Sequence, residues 1–344
     1  MKKHGLIGLC AVLSLAFAAC HNTPQTPENP NQQTEQVDSA RDPLSLLNDS
    51  IAQDENRADL YLRRASLYVD REQVGQAMMD VNKAIQLDPQ NVDALLLLSD
   101  IYYLLGDEAN ITATLNHALE VDPFDTRPMV KLAELNLLQQ NYNLAFGYID
   151  NALKVSTYNP KAYFVRGMTY MAKQDTASAM KNFLIAREQD PTFYDPQREI
   201  SVIYQAQQSP LTESFMRSLV RQFPDHAVAR YDLALFLQDN GAPEEALEHY
   251  DTLLMLQPSN SRLLFNKGYV YFVYLEDNAK ALEFFEQSLQ SDPTYLDALY
   301  NKGQVLERMG DYVQARNIYQ QVLSQQPDYR LAIDGMNRVT NQME

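Results

Sequence analysis

Asn266-Lys267-Gly268-Tyr269-Val270-Tyr271 returns 35 residues later as Asn301-Lys302-Gly303. Each copy is followed by an alanine in a second apolar run, Ala281 or Ala315, and then by a proline, Pro293 or Pro327. The pattern can be walked back through the chain. Prolines stand at 89, 123, 191, 224, 258, 293 and 327, and with Thr157 in the missing slot the steps are 34, 34, 34, 33, 34, 35 and 34 residues. A fixed period of this size means stacked supersecondary units rather than a globule around one core.

Each unit is counted from 31 residues before its proline, with Tyr194 and Ser261 opening the first halves of repeats 5 and 7. Position 8 then reads Ala65, Ser99, Ala133, Gly167, Ser201, Ala234, Gly268 and Gly303. Position 20 reads Ala77, Ile111, Ala145, Ala179, Thr212, Ala246, Ala281 and Ala315, and position 27 is small at Ala84, Ala118, Ala152, Ala186 and Ser288. Small residues at these phases let two antiparallel helices approach closely. Large residues fill the gaps, Tyr68, Tyr102, Tyr170, Tyr204 and Tyr271 on the first helix, Phe183, Tyr250, Phe285 and Tyr319 on the second. The proline after the second helix lacks an N–H and stops helix growth.

These in-phase residues resemble the tetratricopeptide repeat (TPR) family over residues 58–329, in eight units. The resemblance implies an all-α solenoid, a right-handed superhelix of antiparallel helix pairs. Thr157 and Ile111 depart from the family pattern. Repeat 5 is one residue short around Gln207-Gln208-Ser209-Pro210, and repeat 7 is one long around Glu276-Asp277-Asn278.

The ends read differently. Lys2 and Lys3 precede an uncharged run from Gly5 to Ala19, too short for a membrane helix and laid out as a secretory leader over 1–19. Phe17-Ala18-Ala19-Cys20 resembles the bacterial lipobox, although leucine is commoner where Phe17 stands. That resemblance implies a lipidated Cys20, and several acyl chains at ~0.8 kcal/mol per buried CH₂ anchor firmly. His21 after the cysteine, where aspartate would mark inner-membrane retention, resembles an outer-membrane address facing the periplasm. Residues 20–41, with Pro24, Pro27 and Pro30 among polar residues, read as a disordered tether. Residues 42–57, with Leu44, Leu47 and Ile51 on one face, read as an N-terminal cap half-repeat. Residues 330–344, with Ile333, Met336 and Val339, read as a C-terminal cap helix. Cys10 leaves with the leader, so no disulfide forms within the mature monomer.

Composition excludes some functions. Only 11 of 344 residues are glycine, as an all-helical chain requires. The net charge of −17 argues against nucleic acid or an anionic bilayer surface as the main partner. Residues 58–125 and 227–329 each carry eight more acidic than basic side chains, whereas 126–226 carry two more basic ones. This less repulsive middle would suit an acidic partner segment, or is simply part of a solvated acidic surface.

No chemistry emerges. Beyond the leader the histidines are His21, His117, His226 and His249, never three to five residues apart, so no metal site has the usual spacing. There is no phosphate loop or nucleophile elbow. Asp88, Asp122, Asp190 and Asp292 recur before prolines and read as turn residues rather than acid–base pairs. The reading is therefore a non-enzyme without cofactor or metal.

Binding is better supported. In the TPR family, positions 2, 5, 9, 12 and 13 of the first helices line the concave face. Here these give Lys161, Phe164, Met168, Met171, Arg198, Val202 and Gln205 in repeats 4 and 5. Repeats 6 to 8 give Tyr231, Leu235, Gln238, Phe265, Tyr269, Phe272, Tyr300, Gln304 and Arg308. An exposed aromatic series with a polar rim marks a protein-binding surface. The lysine–asparagine pair with which some TPR domains grip a terminal carboxylate is missing, Leu62 with Ser66 and Phe265 with Tyr269 standing in its place. The expected function is a lipid-anchored scaffold or adaptor that binds envelope proteins or peptides in assembly or secretion. A glycan- or nutrient-binding outer-membrane lipoprotein is the alternative, weakened by insertions of only single residues.

The anchor is directly testable. Cys20→Ala should move the protein from the membrane to the soluble periplasmic fraction. Wild-type protein already soluble after fractionation would refute lipidation.

Overall fold

The computed structural model describes residues 42–344. The expected leader over 1–19, Cys20 and the tether over 20–41 lie outside the described residues. The described residues divide into two units, 42–55 and 56–344. In the first, α1 (Pro43–Gln53) is capped by Asp42, whose carboxylate accepts the Leu44 N–H at 3.4 Å. Leu44, Leu47 and Ile51 are its buried face.

The second unit is an all-α solenoid, with no strand among the described residues. Eight helix pairs follow one another. They are α2 (Ala58–Asp70) with α3 (Val74–Leu87), α4 (Val92–Leu105) with α5 (Glu108–Val121), α6 (Thr126–Leu138) with α7 (Tyr142–Val155), and α8 (Pro160–Ala172) with α9 (Thr176–Gln189). Then come α10 (Tyr194–Ala206) with α11 (Thr212–Gln222), α12 (Ala227–Asp239) with α13 (Pro243–Leu256), α14 (Ser261–Tyr269) with α15 (Asn278–Ser291), and α16 (Leu296–Arg308) with α17 (Tyr312–Gln325). A single helix, α18 (Arg330–Asn341), packs on the last pair.

Two kinds of turn alternate. Inside each pair one residue adopts a left-handed backbone: Glu72, Gly106, Gln140, Gln174, Gln208, Gly241, Glu276 or Gly310, with φ from 51° to 89°. The next N–H then reaches back over the helix end, as Asp107 does to the Tyr102 carbonyl and Asp311 to that of Leu306, both at 2.9 Å. Glycine takes this conformation freely, whereas glutamate or glutamine costs roughly 1 kcal/mol. Between pairs, Asp88, Asp122, Asp190 and Asp292 each accept an N–H two residues ahead at 2.8–3.3 Å. These aspartates are turn residues, as their spacing before prolines predicts. Where Thr157 replaces proline, Gln189 braces the turn: it donates to the Thr157 carbonyl and accepts the Asn159 N–H, both at 2.9 Å.

The helices of a pair lock through position 8. A Cβ added to Gly167, Gly268 or Gly303 would lie 2.4, 2.7 or 2.7 Å from a ring carbon of Phe183, Phe285 or Tyr319. Those rings, at position 24 of the second helix, are fully buried. The remaining position 24 residues are Val81, Leu115, Ile149, Met216 and Tyr250, all buried opposite alanine or serine. Tyr250 apart, the notch and the knob thus change size together, as dense packing demands. Buried tyrosines find acceptors at position 12: Tyr250 donates to Gln238 at 2.8 Å, and Tyr319 to Glu307 at 2.6 Å.

The Asn-Lys-Gly stretch ties three neighbours at once. Asn266 donates to the Tyr231 hydroxyl on the preceding first helix at 3.0 Å. Lys267 pairs with Asp251 on the preceding second helix and lies 4.2 Å over the Phe284 ring. Gly268 receives Phe285 from its own second helix.

Two expectations need correction. The extra residue of repeat 7 does not lie at Glu276-Asp277-Asn278. It is absorbed as a π turn over Val270–Tyr274, with Leu275 N–H reaching the Val270 carbonyl at 3.1 Å. Glu276 keeps the left-handed turn and Asp277 still caps α15, so the helix has to take up the slack. Tyr271 is half-buried against the apolar clusters, as the expected first-helix filler, and stacks on Phe284 at 5.5 Å. In α18 the buried residues are Ala332, Gly335 and Val339, while Ile333 is exposed. Tyr319 comes so near that a Cβ at Gly335 would meet it at 2.6 Å, which reserves that face for small residues.

Repeat 5 is the thin place. Its missing residue falls between Gln208 and Thr212, and α11 has 11 residues where each other second helix has 14. Leu211 supplies no side-chain cap. One apolar cluster ends at Ile200 and Ile203 of α10, and the next begins at Met216 of α11, so the core changes hands inside this repeat. Solenoid stability is a sum of repeat and neighbour contributions, and a weak unit uncouples its two sides. Amide exchange should be fastest, away from the ends, over residues 207–226. Protection across 194–226 equal to that of the flanking repeats would contradict this.

Candidate protein-binding surface

The first-helix residues expected to meet a ligand fall into three groups. The cations come first. Lys161 pairs with Glu134 at 2.9 Å, and Arg198 with Asp232 at 2.9 Å. Arg308 lies 4.0 Å over the Phe272 ring and donates to the Phe272 carbonyl at 3.0 Å. Each reaches a neighbouring repeat, so these charges act as braces across the stack. Arg127 does the same with Asp93 at 2.6 Å, and Lys131 with Asp100. Part of the basic charge of residues 126–226 is thereby drawn into the chain's own carboxylates.

The second group is buried. Phe164 is 5% exposed and packs on Phe183 and Phe193, with ring centroids 5.9 and 5.3 Å apart. Phe272, also 5% exposed, lies beneath Arg308. Tyr300 is 8% exposed between Tyr319 and Tyr329, at 6.0 and 5.3 Å. Gln238 is buried by its bond to Tyr250. These side chains are packing and not ligand surface. At these sites the position 5 or 12 side chain packs against the position 24 residue, Phe183, Phe285, Tyr319 or Tyr250.

The third group stays accessible. Tyr231, Phe265, Tyr269 and Gln304 are half-buried. Phe265 links the series, its ring centroid 6.1 Å from Tyr269 and 5.2 Å from Tyr295. Sequence reasoning missed two members. The π turn turns Val273 and Tyr274 outward, and the Tyr274 hydroxyl donates to Asp239 at 2.7 Å. Their signal was the long step between Pro258 and Pro293. The result is a partly exposed aromatic strip over α12, α14 and the π turn.

Other chemistry is sparse. Among the described residues no group of three or more His, Cys, Asp or Glu is placed to hold a metal ion. No helix among them is long and apolar enough to cross a membrane. A cavity lined by Met309, Tyr312, Val313 and Met343 opens at the C-terminal end, away from the aromatic strip.

Known proteins share this architecture. Family models of the tetratricopeptide repeat match residues 58–91, 92–125, 213–261, 231–295 and 273–334, which together exceed half of the chain. Anaphase-promoting complex subunit 3 of Schizosaccharomyces pombe is 23% identical over 197 residues, 56% of this chain and 29% of that protein. Type IV pilus assembly protein PilF of Pseudomonas aeruginosa is 27% identical over 164 residues, 46% of this chain and 64% of that one. The chain thus spans less than two thirds of either relative. The solved C-terminal part of a TPR repeat-containing protein from Cytophaga hutchinsonii superposes with a TM-score of 0.57 at 17% identity, covering 70% of this chain and 98% of that one, a likeness of fold. With eight helix pairs on a 34-residue period and repeat models matching more than half its length, the chain belongs to the tetratricopeptide repeat family.

Proposed function

We propose that this protein is a non-enzymatic, lipid-anchored scaffold that binds an extended protein segment along its first-helix face, in assembly or secretion at the cell envelope. The observation that carries the reading is the strip formed by Tyr231, Phe265, Tyr269 and Tyr274, rings left part-exposed on a face that cross-repeat ion pairs brace elsewhere. Such rings offer large contact area at low entropic loss, and binding hot spots are enriched in them. Similarity to a pilus assembly protein supports an assembly role. The lipobox-like Cys20 and the following His21 support an outer-membrane anchor facing the periplasm. No metal, cofactor or nucleic acid enters this reading.

Two variants separate binding from packing. Tyr269→Ala with Gln304→Ala removes accessible side chains. It should abolish recovery of specific partners cross-linked in membranes, by tenfold or more, with little change in melting temperature. Phe272→Ala removes a buried ring and should destabilise by ~3 kcal/mol or more. Met255→Ala, on an exposed second-helix position, should alter neither. Unchanged partner recovery in the first variant would move the binding surface elsewhere.

A further inference from the structure

Between α10 and α12 the first-helix face carries carboxylates that outnumber their cations. Asp195, Arg198 and Glu199 come from α10, Asp232 from α12, and His226 from the N-cap of α12. The Arg198 guanidinium is 2.9 Å from Asp232 and 3.7 Å from Glu199. It is the one guanidinium among three acidic side chains, two of them largely buried: Asp232 is 22% and Glu199 19% exposed. Burial raises the carboxyl pKa of both. Burial also lowers that of His226, so the imidazole adds no positive charge at neutral pH.

A second observation points to a missing ligand. Tyr194 is 8% exposed and stacks on the His226 ring at 3.6 Å. Its hydroxyl lies within the field of Asp232, Arg198, Asp195 and Glu199, yet it has no hydrogen-bond partner, and neither has His226 Nδ1. Buried polar atoms are nearly always paired, and an exception calls for an explanation. Here both unused atoms can accept beside surplus negative charge, the hydroxyl through its lone pairs and Nδ1 when the ring proton sits on Nε2. The hydrogens of an ammonium, or the fork of a guanidinium, could reach these atoms and the carboxylate oxygens that Arg198 leaves unused. No metal-ligating cluster is present among the described residues, which favours an organic cation.

We propose that Tyr194, His226, Glu199 and Asp232 form the seat of a basic side chain, lysine or arginine, presented by a bound polypeptide segment. This rests on the reading of the first-helix face as a protein-binding surface. It adds a charge requirement that the aromatic strip lacks, because an incoming cation gains most from partly desolvated carboxylates.

The test uses peptide pools with randomised flanks and one fixed central residue, lysine, arginine, norleucine or glutamate, equilibrated with the immobilised full chain. The lysine and arginine pools should be retained at least tenfold better than the other two. Glu199→Gln with Asp232→Asn should abolish that preference. Tyr194→Phe deletes only an unpaired hydroxyl, so the fold should persist while the preference drops several-fold. Equal retention of all pools, retention of none, or a basic preference that survives in both variants overturns the seat. Equal retention that still falls in the Tyr269→Ala, Gln304→Ala variant would leave the aromatic surface standing and remove only the cation site.

Discussion

The fold depends on one repeated contact, the side chain at position 24 of each second helix pressed into the notch at position 8 of the first. At Gly167, Gly268 and Gly303 the notch has no side chain at all, and a ring occupies the space. A glycine inside a helix costs about 1 kcal/mol relative to alanine. Burying a phenylalanine ring contributes ~2–3 kcal/mol, so the exchange favours the folded pair. Where the notch holds alanine or serine, the knob shrinks to Val81, Leu115, Ile149 or Met216. Tyr250 opposite Ala234 is the exception, and its hydroxyl is held by Gln238.

This contact decides what remains for recognition. Because position 24 draws large neighbours inward, Phe164, Phe272 and Tyr300 become core. Cross-repeat pairs then occupy Lys161, Arg198 and Arg308. Most surface pairs contribute little each, so their main consequence is to fix where one repeat sits on the next. What is left is a strip of rings in repeats 6 and 7 and an under-compensated acidic cluster at the junction of repeats 5 and 6. The cluster borders the shortened helix α11, where the apolar core is thinnest.

Much of this was legible in the sequence. The proline period and the small residues at positions 8 and 20 specify helix pairs, and the first helices begin at 58, 92, 126, 160, 194, 227, 261 and 296 as that phase requires. The aspartates before prolines announced their turns. The left-handed turn inside each pair was not legible, because five of its eight residues are glutamate or glutamine and carry no glycine signal. The extra residue of repeat 7 could be counted but not placed, since a π turn at Val270–Tyr274 and a longer loop leave the same period. Burial of Phe272 and pairing of Arg198 depend on residues about 34 positions away, a relation that position within one repeat does not reveal. The unpaired Tyr194 hydroxyl is likewise a property of the packed stack.

The most direct measurement of the central claim is a double-mutant cycle on Gly167→Ala and Phe183→Leu, followed by denaturant unfolding of the repeat array. Gly167→Ala alone forces a methyl group against a buried ring and should destabilise by ~1–3 kcal/mol. With Phe183→Leu the methyl group fits, so the double variant should be more stable than the sum of the singles predicts, by at least ~1 kcal/mol. Losses that simply add, to within about 0.5 kcal/mol, would contradict the account and show that the notch and the knob vary independently.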